Sequence, residues 1–157
     1  MGVDVDAVIA PADPREARFQ PILQIHQAHC EAETPIGSCH RLDAANLAAP
    51  EIRFYALTVG DDVRGMAAWK RLTADHGEVK SMHVLGAHRG ARYADALLAR
   101  VVADAMAAGI KRLSLETGAQ PNFAPARAFY ARHGFAICPP FGDYREDPNA
   151  VFMTKAL

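Results

Sequence analysis

The chain has 157 residues, half of them hydrophobic, and a formal net charge of -1. This length suits one domain, residues 1–157, with a sizeable core, and the balanced, interleaved charges exclude a global pull toward nucleic acid or an anionic membrane. No stretch approaches a membrane-spanning length. The opening "MGVDVD" lacks the basic-then-apolar pattern of a signal peptide. The three cysteines, Cys30, Cys39 and Cys138, form no CxxC pair, so free thiols in a reducing cytoplasm are expected.

A weak alternation over residues 3–8 predicts a first strand. In "ADPREARFQPILQIHQAHCEA", Asp13 reads as an N-cap and Pro14 as the first helical position. Phe19, Ile22, Leu23 and His26 then recur at helical spacing, with Pro21 expected to bend or break the helix. "ETPIGSCH" is a loop, and "LDAANLAA" a short helix that begins near Asp43 and stops at Pro50. "EIRFYALTVGDDVRGMAAWKRLT" has the alternation and central turn of a hairpin, and "GEVKSMHVL" supplies a further strand. Three strands in succession imply an antiparallel meander.

The pattern then becomes helical. Leu97, Leu98, Val101, Val102 and Ala105 mark one face of a helix over Ala94–Ala108, and Gly109 stops it. "IKRLSLET" is a strand, "APARAFYARH" a helix with Pro125 in its first turn, and "FAIC" and "AVFMTKAL" the last two strands. "PPFGDYREDPN" between them is rich in turn formers. The order β-α-α-β-β-β-α-β-α-β-β predicts an α/β domain with a mixed sheet.

The stretch "HVLGAHRGARYADALL" carries the first chemical signal. The first N–H groups of a helix have no intrahelical acceptor, and the helix dipole adds partial positive charge there, so an anion is stabilised. Arg89 and Arg92 add full charges, and Gly90 permits close backbone approach. The chain contains neither GxxxxGK[ST] nor GxGxxG, so this is not an NTPase loop or a dinucleotide fingerprint.

From Arg53 to the C-terminus the chain resembles the GNAT superfamily of acyl-CoA-dependent N-acyltransferases. The family signature [QR]-x-x-G-x-[GA] falls on Arg89, Gly90, Ala91, Arg92, Tyr93 and Ala94. Arg89 and Ala94 match, while Arg92 replaces the middle glycine. "LSLETG", "APARAFYARHGF" and "PPFGDYREDPNAVFM" resemble a bacterial subgroup ending in a GDY..DPN.VFM motif. The resemblance implies a mostly antiparallel central sheet flanked by helices and splayed between strands 4 and 5. It implies acetyl-CoA as cosubstrate, with its diphosphate on the Arg89–Ala94 loop. Backbone groups of Met82, His83 and Val84, on a bulge of strand 4, would face the pantetheine and the thioester. Asn122, one residue out of the family register, is a further candidate for the pantetheine.

The resemblance also implies acid–base roles. Glu78 takes the position of the base in some members, with His83 as runner-up, and Tyr130 the position of the general acid. The acceptor would be a small-molecule or peptide amine, met by the acidic loop bearing Asp143, Tyr144, Glu146 and Asp147. A homodimer through the C-terminal edge strands stays open. Two other readings compete. One is a non-catalytic sensor of coenzyme A or acyl-CoA with an altered phosphate loop. The other is a metal site from His26, His29 and Cys30 with Cys39 and His40, which lacks paired ligand spacing; no metal is expected.

Overall fold

The structure is a computed structural model that describes residues 6–32, 34 and 43–157. In chain order the elements are β1 (Ala7–Pro11), α1 (Gln20–Glu31), α2 (Ala44–Leu47), β2 (Ile52–Val59), β3 (Asp62–Arg71), β4 (His76–Val84), α3 (Tyr93–Ala107), β5 (Arg112–Gly118), α4 (Ala124–Arg132), β6 (Ala136–Cys138) and β7 (Ala150–Ala156). This is the predicted order. The seven strands form one sheet in the order β1-β2-β3-β4-β5-β7-β6. Every neighbouring pair is antiparallel except β4 with β5, which is parallel.

Strand alternation sorts the side chains onto two faces. On one face Leu57, Ala67, Trp69, Val79, Leu113 and Leu115 pack under Leu97, Val101 and Ala105 of α3 and Tyr130 of α4. On the other, Phe54, Ala56, Met66 and Ala68 pack under Phe19, Ile22 and Leu47. Trp69 is buried there and donates from its indole N–H to Tyr55 Oη at 3.2 Å.

The first helix departs from expectation. Asp13 does not cap it; its carboxylate accepts from the backbone N–H and guanidinium of Arg15, each at 2.9 Å. A short 3₁₀ turn over Ala17–Phe19 follows, and α1 begins only at Gln20. Pro21 therefore sits in the first turn, where the missing N–H has no acceptor to lose, and it starts the helix rather than breaking it. Asp43 does cap α2, accepting from Asn46 N–H at 2.8 Å.

Two irregularities of β4 position the site. The first is a register shift against β3: Met66 faces His83 and Ala68 faces Lys80, so Ser81 and Met82 both stand opposite Ala67. Ser81 carries this bulge with φ of 52°. The second is the loss of pairing with β5. The parallel ladder joins only His76–Glu78 to Arg112–Ser114, and beyond it the strands diverge. A polar chain closes the narrow end: His76 Nε2 lies 2.8 Å from Ser114 Oγ, which lies 2.8 Å from Thr154 Oγ1 on β7.

Candidate active site

Divergence of two strands inside a sheet leaves backbone N–H and C=O groups facing a gap rather than each other. A cleft of about 340 Å³ occupies this gap, reaching through the sheet from one face to the other. Its walls include Glu78, Met82, His83, Val84, Arg89, Ala94, Asn122 and Tyr130, so eight of the side chains singled out in sequence converge. Gly90, Ala91, Arg92 and Tyr93 form the turn between Arg89 and Ala94 and do not line the cleft. Tyr93 is buried, and its hydroxyl accepts from Arg64 at 2.8 Å.

The turn answers the question posed by Arg92. Both Gly90 and Arg92 are left-handed, with φ of 87° and 65°. Arg92 is the N-cap of α3, and the first bond of that helix runs from Ala96 N–H to Arg92 C=O at 3.2 Å. An arginine has no acceptor atom to cap the helix, so the positive end of α3 stays open to an anion. Asp95 in the first turn is held instead by His133 at 2.6 Å and Arg132 at 3.1 Å, with Arg92 Nε at 3.6 Å. A side chain in the left-handed region costs about 1–2 kcal/mol. Losing an exposed ion pair costs only a few tenths. Arg92→Gly is therefore expected to raise folding stability by about 1 kcal/mol in chemical denaturation; unchanged or lower stability would show that the Asp95 contact outweighs the strain.

On the α3–α4 face, Tyr130 is 8% exposed, with its ring against Phe129 and Phe135. Burial alone pushes its pKa well above the usual tyrosine range. Phe129 lines the cleft, whereas Phe135 is in the core. At the wide end of the gap, Gly118 ends β5 where a Cβ would collide with the Phe123 ring at 2.1 Å. Glycine thus lets Phe123 pack and sets the adjoining Asn122. The Asn122 side chain donates to His29 C=O at 3.2 Å, and its Oδ1 is buried without a partner among the described residues. An unpaired buried acceptor next to a cleft is a place for a ligand N–H.

On the opposite face, Glu78 is 4% exposed. Its Oε2 accepts from Tyr144 Oη–H at 2.6 Å and from Lys80 Nζ at 3.1 Å, while Oε1 accepts from no described residue. Burial, and then the Glu78 charge, push the Tyr144 pKa far up, so this phenol stays a donor. The sequence marked Tyr144 only as part of an acidic loop and gave Lys80 no role in the site. In fact both are fixed to the buried carboxylate.

Deeper along β4, His83 Nδ1 lies 3.0 Å from His26 Nδ1 on α1, and His26 Nε2 lies 3.7 Å from Cys30 Sγ. Only one ring of such a pair can donate, so the two cannot both be charged. Burial, then the nearby His29 and Arg89, lowers the His83 pKa from 6.5 to about 4. A depressed histidine makes stability fall as pH falls, because below 6.5 the unfolded chain binds a proton that the folded chain refuses until about 4. This linkage is worth up to about 3 kcal/mol. His83→Leu should remove it, shrinking the stability difference between about pH 7 and about pH 4 by that amount in urea titrations; an unaltered slope would count against it. Cys39 and His40 of the competing metal reading lie outside the described residues. Among the described residues no group of three or more His, Cys, Asp or Glu side chains converges as a metal site. No described helix is long and apolar enough to cross a membrane.

The comparisons with known proteins agree with this geometry. The acetyltransferase (GNAT) family model matches residues 19–135. The uncharacterized N-acetyltransferase YsnE of Bacillus subtilis is 44% identical over 124 residues, covering 79% of this chain and 82% of that protein. Among solved structures, an acetyltransferase from Streptococcus agalactiae superposes with a TM-score of 0.76 at 18% identity, over 98% of this chain and 100% of that one. A GNAT family acetyltransferase from Elizabethkingia anophelis, solved with acetyl-CoA bound, superposes with a TM-score of 0.72 at 14% identity, over 98% and 100% of the two chains. The solved structures share the fold, and the family match over residues 19–135 with the 44% identical relative shows that the chain belongs to the acetyltransferase (GNAT) family of enzymes.

Proposed function

We propose that this enzyme transfers the acetyl group of acetyl-CoA to a primary amine, by direct attack of the amine nitrogen on the thioester carbon. The observation that carries the proposal is the through-sheet cleft, with Tyr130 on one face and the open Oε1 of Glu78 on the other. The cosubstrate fits the α3–α4 side. Its diphosphate would meet the open N-terminus of α3 with Arg89 and Arg92, and its pantetheine amides the unpaired strand edges and Asn122 Oδ1. In this reading backbone groups of Met82, His83 and Val84, beside the bulge at Ser81, face the gap, where an N–H would stabilise negative charge on the thioester oxygen.

The amine approaches from the α1 side. Glu78 Oε1 accepts its proton as the C–N bond forms, the C–S bond breaks, and Tyr130 protonates the departing sulfur. In this reading Arg92 trades strain for a phosphate contact, so Arg92→Gly binds coenzyme A more weakly although it folds more stably.

The test is acetyl-CoA incubated with a panel of amines while free thiol is followed by colour. Amine-dependent thiol release supports transfer. Tight binding of acetyl-CoA by calorimetry with no release across the panel would overturn it in favour of a sensor.

A further inference from the structure

We infer that the acceptor is zwitterionic: an α-amino acid or a close relative that carries a carboxylate beside its reacting amine. This deepens the proposed transfer reaction and rests on it. The observation is the Glu78–Lys80–Tyr144 cluster on the acceptor side of the gap. The side chains of Lys80 and Glu78 are only 11% and 5% exposed, and their charged ends lie 3.1 Å apart. Among the described residues each keeps one unused valence, and both side chains line the cleft. Lys80 Nζ has three hydrogens and gives two, to Glu78 Oε2 and Tyr144 Oη. Glu78 accepts both of its bonds on Oε2, leaving Oε1.

A site that served simple amines would need only the carboxylate. Glu78 compensates the Lys80 charge at rest, but once Glu78 engages an acceptor ammonium, the third Lys80 N–H, which has no acceptor among the described residues, is left to bind an anion. An α-amino acid satisfies both, since its ammonium and carboxylate share one carbon and so stand side by side like Glu78 and Lys80. The surroundings have the same mixed sign. A second hollow, bounded by Glu78, Lys80 and Tyr144, opens from this cluster toward solvent. Along it Asp143, Glu146 and Asp147 stand among Lys70, Lys80 and Arg145. The loop expected to be an acidic mouth for a cation is thus half of a mixed mouth. Such a mouth disfavours polyamines, whose extra charges would meet the basic side chains.

The test compares matched acceptors on the wild-type protein: tyrosine with tyramine, histidine with histamine, and each amino acid with its α-amide. Two readouts are taken, thiol release from acetyl-CoA and binding to coenzyme A-saturated protein by calorimetry. A hydrogen bond between charged groups supports a preference of about tenfold or more for the acceptor with the carboxylate. Lys80→Met should erase that preference, read as the ratio between matched acceptors rather than as an absolute rate; a ratio unchanged from wild type would overturn the inference. Equal or better use of tyramine, histamine or the amides would overturn the inference while leaving acetyl transfer standing. Preferential binding of the amino acids without thiol release would support the inference and sink the transfer reaction. Failure of every member to bind or react would overturn both.

Discussion

Tyr130→Phe is expected to lower kcat by roughly 10²-fold while leaving coenzyme A affinity within about twofold, because positioned acid catalysis contributes on that scale. The substitution removes one oxygen and keeps the ring, so the contacts with Phe129 and Phe135, at centroid distances of 5.2 and 5.6 Å, persist. The hydroxyl lies in the cleft wall, and no charge or hydrogen bond from the described residues offsets the effect of burial on it. A phenol in that setting stays protonated through the neutral range. It is a poor acid toward water, but a sulfur leaving with its electron pair in the same water-poor gap is a strong acceptor. Steady-state kinetics and calorimetry separate the two quantities. A kcat equal to wild type would reduce Tyr130 to a core residue; a fall in affinity that matches the fall in rate would make it a binding group.

The fold was legible because its elements carry local signals. Leu97, Leu98, Val101 and Ala105 repeat at helical spacing and are all buried, and β2 and β3 alternate as a hairpin should. The start of α1 was misread because Asp13 followed by Pro14 looks like a cap on sequence, while the Arg15 side chain claims the carboxylate in three dimensions. The site divides in the same way. Glu78, Arg89 and Tyr130 were singled out because the family resemblance points to their positions, and all three line the cleft. Ser81 was missed because nothing in "VKSMH" announces a left-handed residue; a glycine there would have. Arg92 is left-handed too, but there the glycine of the family signature marks the position. Lys80 and Tyr144 lie 64 residues apart and meet only because the loop between β6 and β7 folds back over β4. No local pattern encodes that contact. The His26–His83 contact is similar: His26 was read with His29 and Cys30 as a competing metal site, yet its ring meets His83 across α1 and β4.

Glu78→Gln is expected to lower kcat/KM by roughly 10²-fold at neutral pH, with the deficit narrowing as pH rises toward the pKa of the acceptor amine. The sign follows from the proton count. At neutral pH most of the amine carries a proton that must leave before or during attack, and Glu78 Oε1 is the open acceptor on that side. At higher pH the amine is already neutral, so the carboxylate matters less. Glutamine keeps the shape and an acceptor oxygen for Tyr144. It removes the charge that compensates Lys80, however, and an uncompensated buried ammonium costs stability whether or not Glu78 is catalytic. The double variant Glu78→Gln with Lys80→Met restores neutrality and separates the causes. If lost catalysis is the cause, the double variant melts near wild type yet stays slow at neutral pH and recovers at high pH. If charge imbalance is the cause, it recovers activity at every pH toward a decarboxylated amine, which makes no use of Lys80. A single variant whose pH–rate profile parallels wild type would remove Glu78 as the base and leave His83, neutral across this range and facing the same side of the gap, to accept the proton.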